Sequence, residues 1–337
     1  MRFLIVTPAP EGSTKGNRIT ATRWASIIRS LGHHVSIEER FHFLKSRSTS
    51  SHANNSQPHF DVLVALHARK SAQSVSNFRS VFPNGRVVVA FTGTDIHLEK
   101  SNATRKHKSQ IELSLALSDR VILLEPHSVR LLAASIKQKS VVIIQSSLPV
   151  KTKPMPLSSW FEVSVIGHLR TVKDPFRAAA AARLLPDDSR VRIVHFGAAL
   201  TAAMETRAQR EGQENPRYRW MGAVKHAEAK RRLARSRLTV LSSRSEGGPA
   251  VVSEAIVNDV PILASRMDAT IGLLGDDYPG LFDFGDTRQL SQLIYRSETD
   301  PKFYKSLVAK CKERKKQFSP ATERHAWESL IELLQDQ

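Results

Sequence analysis

The feature that most constrains the fold is an alternation of short apolar runs with segments of helical period. The apolar runs are four or five residues long and include residues 3–6, 62–66 and 87–91. Between the first two runs, apolar residues from Ile19 to Leu31 recur at helical spacing. Because parallel strands need long crossover connections, usually helices, this order predicts an α/β fold with parallel sheets.

A proline-rich break divides the alternation into two rounds. Residues 148–157 hold three prolines and have no period, which is typical of a linker. The second round has strand patterns at 162–166, 191–196, 238–241 and 260–264. A chain of 337 residues is also long enough for about two domains.

We therefore predict two Rossmann-like, doubly wound domains, residues 1–150 and 158–318, that face a central cleft. Doubly wound sheets bind ligands at the carboxyl ends of their strands, so the functional residues should lie there. A last helix is predicted over about residues 320–337 and has an apolar face. Residues 45–58 are rich in Ser and Asn and predict a mobile surface loop.

The formal net charge of +18 restricts the possible partners. A charge of this size often indicates nucleic-acid binding. The basic residues are scattered, however, and no aromatic residues interleave with them as base stacking requires. We predict that most of them lie on solvated helix faces, that a minority bind small anions, and that nucleic acid is not a partner.

The cysteine content and the lengths of the apolar runs exclude several further classes of protein. The single cysteine, Cys311, rules out an internal disulfide framework and a Cys-based zinc site. No apolar stretch approaches the ~20 residues that span a bilayer. The apolar run at 3–6 is too short for a signal peptide. We expect a cytoplasmic protein with no membrane partner.

The most informative segment is residues 243–255, which follow a strand pattern and begin a helix. Gly247 and Gly248 permit a tight turn with a close backbone approach, and Pro249 suits the first helical position. The amino end of such a helix is a site for a diphosphate. Glu246 precedes this helix and could bind sugar hydroxyls, and Glu254 inside it could bind a ribose. The alternative is a surface helix with two solvated glutamates.

A second segment, residues 165–175, also lies between a strand and a helix. Lys173 can stabilise the charge that grows on a departing diphosphate. Arg170 can add positive charge, whereas His168 could equally be an ordinary loop histidine. A third segment, residues 218–224, places Met221 at a strand end.

The layout of strand, Glu246, Glu254 and helix resembles the donor site of retaining GT-B glycosyltransferases of the GT4 type. In those enzymes a glycine is followed by Arg and then Lys. Here Lys173 matches the Lys and His168 stands where Arg is expected. The resemblance implies that the segment with Met221 pairs with the nucleotide base, and that the last helix crosses back to the first domain. It also implies donor-site roles for Gly247, Gly248, Val251, Glu254, Met221 and Arg244.

The whole chain resembles a narrower family, the SenB-type selenosugar synthases of selenoneine biosynthesis. The shared motifs include Thr7-Pro8-Ala9-Pro10, Gly16-Asn17-Arg18, Ala65 to Ser71, Thr92-Gly93-Thr94-Asp95, Gly167 to Arg170, and Gly272 to Gly280. The resemblance implies that a UDP-sugar, UDP-N-acetylglucosamine or UDP-glucose, is joined to selenophosphate through a C–Se bond. One departure is Pro249-Ala250, where relatives are expected to have Ala-Asn.

An anionic acceptor needs cationic, N–H-rich surroundings and no strong general base. The expected acceptor-binding residues lie in the first domain and are Lys15, Gly16, Asn17, Arg18, His67, Arg69, Thr92, Gly93 and Thr94. Alternatively, Asn17-Arg18 could cap a helix, Arg69-Lys70 could be a solvated pair, and Asp95 could merely cap the next helix. Gly16 favours a loop that faces ligand over the helix cap.

The predicted catalytic residues are Lys173, Glu246, His168 and Arg170. No Asp-x-Asp element is present, so we predict that no metal and no other cofactor is needed. Two other functions stay open: a GT4-like transferase for a lipid or polysaccharide hydroxyl, and, more remotely, a non-catalytic nucleic-acid binder. The oligomeric state, the preferred sugar and the anomeric outcome are not predicted.

Overall fold

The computed structural model describes residues 1–13, 15–42, 58–96 and 104–336. Most of the predicted loop at 45–58 lies outside these residues, as does the side chain of Thr94. The chain forms two compact units. The first unit is Met1–Ile143 with Arg324–Gln337, and the second is Ile144–Glu323.

The first unit is built on a parallel sheet of six strands in the order β2-β1-β3-β4-β5-β6. The strands are β1 (Arg2–Val6), β2 (His34–Glu38), β3 (Val62–Leu66), β4 (Arg86–Ala90), β5 (Arg120–Leu123) and β6 (Ser140–Val142). The helices wholly within this unit are α1 (Gly16–Ser30), α2 (Ala72–Val81), α3 (Arg105–Ala116) and α4 (Ala134–Lys137). All strand pairs are parallel, as the alternation of strands and helices predicts.

Apolar runs are continuous in β1, β3 and β4 because both faces of the sheet are buried there. In β1, Phe3 and Ile5 pack on the face covered by α1 residues such as Trp24. Leu4 and Val6 point to the opposite face, which Phe78 of α2 helps to cover. Successive strand residues face opposite sides, so a strand between two helical layers must be apolar at every position.

The second unit has its own parallel six-stranded sheet, in the order β12-β11-β10-β7-β8-β9. Its strands are β7 (Phe161–Ile166), β8 (Val191–Phe196), β9 (Tyr218–Trp220), β10 (Leu238–Leu241), β11 (Ile262–Ser265) and β12 (Leu281–Phe282). Its helices are α5 (Arg177–Ala182), α6 (Ala202–Glu214), α7 (His226–Arg235), α8 (Ala250–Val257), α9 (Asp268–Leu274), α10 (Thr287–Thr299) and α11 (Pro301–Arg314).

The predicted strand at 260–264 begins two residues late in the structure. Asp259 adopts a left-handed backbone conformation (φ 56°). The amide of Val260 then donates to the carbonyl of Ala255 at 3.0 Å. Val260 therefore closes the end of α8 and cannot join the sheet.

The last helix, α12 (Pro320–Gln335), begins in the second unit and ends in the first. Trp327 packs edge-on against Trp24 of α1, with ring centroids 5.1 Å apart. Leu330, Ile331 and Leu334 join the same apolar cluster. The apolar stripe of α12 is therefore part of the core of the first unit.

Candidate functional site

In the second unit, the three predicted donor-site segments follow β7, β9 and β10. Gly167 follows β7, Met221 follows β9, and the loop 242–249 follows β10. Gly197, which was not predicted, follows β8, between β7 and β9 in the sheet. Because the strands are parallel, all four segments lie at one edge of the sheet, the edge where doubly wound folds bind ligands.

The structure brings the predicted catalytic residues Lys173 and Glu246 together as an ion pair. The hydroxyl of Ser243 also donates to the Glu246 carboxylate at 2.7 Å. Lys173 ends a short 3-10 turn, and the next residue, Asp174, is left-handed (φ 44°). The Lys173 and Glu246 side chains are 26% and 16% exposed, so a ligand can reach both.

Hydrogen bonds to backbone carbonyls hold these two loops side by side. The amide of Arg244 donates to the carbonyl of Val172 at 2.8 Å. The hydroxyl of Ser242 donates to the carbonyls of Lys173 and Asp174, at 3.2 and 2.9 Å. These hydrogen bonds therefore hold Lys173 next to Glu246, in addition to the ion pair between the two side chains.

Helix α8 begins beside this pair. Pro249 was predicted at the first helical position, but its backbone is extended (ψ 106°) and the helix starts at Ala250. No side chain caps this helix end, and its first turn contains no acidic residue. Gly247 is buried and Gly248 is half-buried. The uncapped amino end can therefore accept an anion.

Inside α8, Glu254 is buried and its carboxylate lies 2.6 Å from Nε2 of His226. His226 begins α7 and is half-exposed. His226 could not be predicted from the sequence, because it lies 28 positions from its partner and no local motif marks it. Val251, also predicted at the donor site, is buried in the first turn of the same helix.

Gly197 determines the shape of the loop at Gly167 and His168. A Cβ atom on Gly197 would overlap the Gly167 carbonyl oxygen and lie 2.8 Å from the amide nitrogen of His168. The next amide, that of Ala198, donates to Nδ1 of His168 at 3.1 Å. This bond leaves Nε2 as the N–H of a neutral His168 ring. His168 therefore offers a neutral donor at the position where the GT4 resemblance led us to expect an Arg.

Beneath this loop, His195 is fully buried between two hydrogen-bonding groups. Its Nε2 donates to the Gly167 carbonyl at 3.0 Å, and its Nδ1 accepts from the Tyr218 hydroxyl at 3.2 Å. Burial lowers the pKa of His195 to about 4, although the bond to Gly167 raises it. Burial also raises the pKa of Tyr218. Both side chains are therefore neutral and fix the carbonyl of Gly167.

Three other predicted residues lie farther out. Arg170 is exposed, and its carbonyl accepts the Lys173 amide at 2.9 Å. Arg244 is exposed and stacks on the ring of Phe284 at 4.9 Å. Met221 is 37% exposed, and its amide donates to the His195 carbonyl. These contacts leave the side chains of Arg170 and Met221 at the surface.

In the first unit, polar residues follow three neighbouring strands. Thr7, His67 and Thr92 come after β1, β3 and β4, which are adjacent in the sheet. Among the described residues, the buried hydroxyls of Thr7 and Thr92 have no hydrogen-bond partner, and the same is true of His67 Nδ1. Buried polar atoms are nearly always hydrogen-bonded, so three unpaired atoms at one sheet edge indicate a ligand site.

His67 has an unusual backbone for a residue with a Cβ atom, because its φ is 71°. Its Nδ1 lies 3.3 Å from Oδ2 of Asp95, without the alignment of a hydrogen bond. Asp95 is held by the amides of Ala68 (2.7 Å) and Gly93 (3.0 Å). Thus Asp95 does cap nearby backbone groups, as one interpretation predicted, but its carboxylate also contacts His67.

The interpretation of residues 16–18 as a loop is wrong. Gly16, Asn17 and Arg18 form the first turn of α1, and the exposed Lys15 precedes it. The N-cap residue Lys15 makes no side-chain capping bond to this helix. Arg18 Nη2 lies 3.8 Å from a carboxylate oxygen of Glu11, whose side chain is 92% exposed. The first turn therefore carries a cation where the helix dipole favours an anion.

A basic pocket of about 250 Å³ lies at the same edge of the first unit. Its lining residues are Pro8, Glu39, Arg40, Arg69, Lys70 and Gln110. Arg69 and Lys70 come directly before Ser71, the residue that precedes α2. Three cations and one carboxylate give this pocket a positive balance.

Within the described residues, no group of three or more His, Cys, Asp or Glu side chains could hold a metal ion. In the same part of the chain, no helix is long and apolar enough to cross a membrane.

Comparison with known proteins identifies relatives of this architecture. A glycosyltransferase 1 domain-containing protein of Xenopus tropicalis is 23% identical over 331 residues, which cover 93% of this chain and 91% of the relative. A sucrose-phosphate synthase from Thermosynechococcus elongatus has a TM-score of 0.76 at 15% identity, with 99% of this chain and 98% of that chain covered.

Anabaena HepE, solved in complex with UDP-glucose, also has a TM-score of 0.76, at 13% identity. The likeness covers 98% of this chain and all of that one. The predicted GT-B fold is therefore confirmed.

Residues 161–317 match the glycosyl transferases group 1 family. This range contains the Lys173–Glu246 pair, α8 and the buried His195. The chain thus has the GT-B fold, and its second half is similar to the glycosyl transferases group 1 family.

Proposed function

We propose that this protein is a glycosyltransferase that transfers a sugar from a UDP-sugar to selenophosphate and forms a C–Se bond at the anomeric carbon. The donor would be UDP-N-acetylglucosamine or UDP-glucose. The observation that carries the proposal is the Lys173–Glu246 ion pair beside the uncapped amino end of α8. The identity of the acceptor rests on the motifs shared with selenosugar synthases.

The donor diphosphate would be bound by the first turn of α8 and by Lys173. The bond between the anomeric carbon and the diphosphate oxygen breaks in the reaction, and its electron pair leaves with UDP. Backbone N–H groups and a lysine near that oxygen stabilise the growing charge. Glu246, no longer paired with Lys173, would then accept hydrogen bonds from the sugar hydroxyls.

Two further observations support a nucleotide donor. The buried Glu254 carboxylate is already oriented by His226 and could accept hydrogen bonds from ribose hydroxyls. HepE, which shares the fold, was solved with UDP-glucose. The Met221 segment at the end of β9 is then the expected site of the nucleotide base.

The acceptor would be bound by the first unit. Selenophosphate is a small anion, and the basic pocket with Arg40, Arg69 and Lys70 suits such a charge. Lys15 and Arg18 at the start of α1 add cations. The unpaired Thr7 and Thr92 hydroxyls can donate hydrogen bonds to an oxyanion.

The test is a product analysis by mass spectrometry. UDP-N-acetylglucosamine and UDP-glucose are each incubated with selenophosphate or with hydroxyl acceptors, namely sugars and a lipid alcohol. We expect UDP release and a product with the selenium isotope pattern only with selenophosphate. UDP release with a hydroxyl acceptor and none with selenophosphate would overturn the proposed acceptor.

A further inference from the structure

We propose that Asp174 and Arg177, together with Thr287, position the Lys173 ammonium group for the donor diphosphate. The inference rests on the donor site of the proposed function, in which Lys173 binds the diphosphate. It assigns a role to residues that the proposed reaction leaves without one. Asp174 and Arg177 act through Lys173 and are positioning residues. All four residues belong to the second unit.

The backbone of Asp174 turns the chain sharply, directly after Lys173. Its φ of 44° and ψ of 56° lie in the left-handed region, which a residue with a Cβ atom seldom adopts. The next residue is Pro175, and a residue before proline normally has an extended backbone, with ψ above about 120°. The conformation is therefore unfavourable for two reasons, and it persists only where neighbouring groups impose it.

Hydrogen bonds to the main chain of Asp174 impose part of this conformation. The amide of Asp174 donates to the carbonyl of Thr171 at 3.1 Å and closes the 3-10 turn that contains Lys173. The carbonyl of Asp174 accepts the Ser242 hydroxyl at 2.9 Å and the Arg177 amide at 3.1 Å. The main chain at Asp174 thus joins the Lys173 turn to the start of α5.

The side chain of Asp174 connects the same turn to two helices. Its Oδ2 accepts the Nε–H of Arg177, the first residue of α5, at 2.7 Å. Nη1 of Arg177 donates to the hydroxyl of Thr287, the first residue of α10, at 2.5 Å. The Asp174 and Arg177 side chains are 21% and 24% exposed, so most of each is packed within the unit. A continuous series of contacts therefore runs from α10 through α5 to the residue that follows Lys173.

The two adjacent charged side chains of this loop have separate partners. Lys173 forms its ion pair with Glu246, whereas Asp174 forms its ion pair with Arg177. When a diphosphate draws Lys173 away from Glu246, that ion pair no longer holds the loop, but the bonds of Asp174 remain. They keep the main chain of Lys173 in place while its ammonium group changes partner. Close fixing matters because small displacements of a catalytic group remove much of its effect.

The experiment is a double-mutant cycle on the affinity of the full chain for UDP, measured by isothermal titration calorimetry. The single variants are Asp174→Gly and Lys173→Ala, and the double variant carries both changes. Glycine adopts the left-handed backbone freely, so Asp174→Gly removes the side-chain contact without obstructing the turn. We expect Asp174→Gly to raise the Kd of UDP roughly tenfold in the wild-type background and less than about twofold in the Lys173→Ala background. A purely structural role would give the same factor in both backgrounds.

Two further variants separate positioning from a general loss of structure. Asparagine tolerates the left-handed region and can accept the Arg177 N–H, so Asp174→Asn should bind UDP within about threefold of the wild type. Arg177→Met keeps an unbranched apolar stem but removes the donors, and it should weaken binding as much as Asp174→Gly does. Arg177→Met takes the place of Asp174→Gly in the cycle if that variant does not fold.

Asp259 provides the matched control. It is also left-handed (φ 56°) and also pairs with a cation, Lys315, at 2.8 Å. It follows the carboxyl end of α8, whereas the diphosphate is proposed to bind at the amino end. Asp259→Gly should therefore leave the Kd of UDP unchanged. Thermal unfolding of each variant shows whether it is folded.

The proposal is overturned if Asp174→Gly binds UDP like the wild type, or if its effect is the same in the Lys173→Ala background. It is also overturned if Asp259→Gly weakens binding equally, because the loss of any such Asp pair would then suffice. If the wild type does not bind UDP, or Lys173→Ala binds it equally well, the donor site of the proposed function is wrong and this inference fails with it. An acceptor other than selenophosphate changes none of these results, because the cycle uses UDP alone.

Discussion

The side chains of Lys173 and Glu246 are held next to each other by their ion pair, at a place that a ligand can reach. They neutralise each other, and the Ser243 hydroxyl helps to orient the carboxylate. Both are partly exposed, so the ion pair adds little to folding stability. In the proposed reaction, the anionic diphosphate would compete for the lysine and so release the carboxylate.

The first prediction concerns these two residues. Lys173→Ala and Glu246→Ala should each lower kcat by about 100- to 1,000-fold, because each removes a group that acts on the transition state. The free energy of unfolding should change by less than about 1 kcal/mol. Steady-state kinetics and urea unfolding measure the two effects.

Lys310 provides the control, because it forms an ion pair with Asp277 at 2.9 Å on the surface. Lys310→Ala should keep wild-type kinetics. A Glu246→Ala variant with near-normal turnover would show that the donor sugar is not bound by this carboxylate.

The second prediction concerns the buried His195. Its pKa of about 4 in the folded protein is below the unfolded value of 6.5, so the unfolded chain binds the extra proton in between. The stability that the neutral ring contributes is full above pH 6.5 and is lost as pH falls toward 4. Between pH 7 and pH 5 this loss is about 2 kcal/mol.

His195→Gln should remove this part of the pH dependence. The free energy of unfolding is measured by urea titration at pH 7 and pH 5 for wild type and variant. His325→Gln is the control, because that side chain is 81% exposed. Equal pH dependence in wild type and His195→Gln would show that His195 is not buried as a neutral ring.

At the level of single residues, the sequence predicts those that belong to a short local motif. Lys173 and Glu246 lie in strand–turn–helix motifs that can be identified without knowing any tertiary contact. His195 and His226 could not be assigned this way, because each acts through a partner more than 20 positions away. The buried Thr7 hydroxyl, which has no partner among the described residues, could not be predicted either, because its surroundings depend on the tertiary structure.

At the level of structural elements, the loop after β8 packs very closely against the loop after β7. Gly197 packs against Gly167 and His168 so closely that no Cβ atom can be accommodated without a shift. The hydrogen bond from Ala198 to His168 depends on the same approach. The loop after β8 therefore sets the conformation of the loop after β7.

The third prediction follows from this fit. Gly197→Ala should displace the Gly167–His168 loop, lower kcat/KM at least tenfold and destabilise the fold by roughly 1–3 kcal/mol. Gly212→Ala is the control, because Gly212 lies within α6 and its Cβ atom would meet nothing within 4 Å. That change should stabilise the protein by up to about 1 kcal/mol. Wild-type kinetics in Gly197→Ala would contradict the close approach.

Elements were easier to predict than their ends. The strand–helix alternation predicts both parallel sheets, because fully buried strands are apolar at every position. The start of α1 was missed because the N-cap residue Lys15 makes no side-chain capping bond to it and Gly16 suggested a loop. The start of β11 was missed because the left-handed Asp259 and its turn keep Val260 in the end of α8.

For the molecule as a whole, the charge of +18 is consistent with a reaction between two anions. Lys173 lies in the second unit, and the pocket with Arg40, Arg69 and Lys70 lies in the first. Each unit thus has cations at the carboxyl edge of its own sheet. Positive potential raises the local concentration of anionic substrates and speeds their binding.

The fourth prediction is that turnover needs no divalent metal, because lysine, arginine and backbone N–H groups can balance the diphosphate charge. Activity should be the same with and without EDTA, and added Mg²⁺ or Mn²⁺ should not increase it. Loss of activity in EDTA that Mg²⁺ restores would contradict this prediction.

The central claim is that the diphosphate of the donor binds at the amino end of α8 next to Lys173. A crystal structure of the protein with UDP tests it most directly. We predict phosphate oxygens within hydrogen-bonding distance of the first amides of α8 and of the Lys173 ammonium group, and a ribose near Glu254. Density for UDP at any other place, with the Lys173–Glu246 pair intact, would contradict the claim.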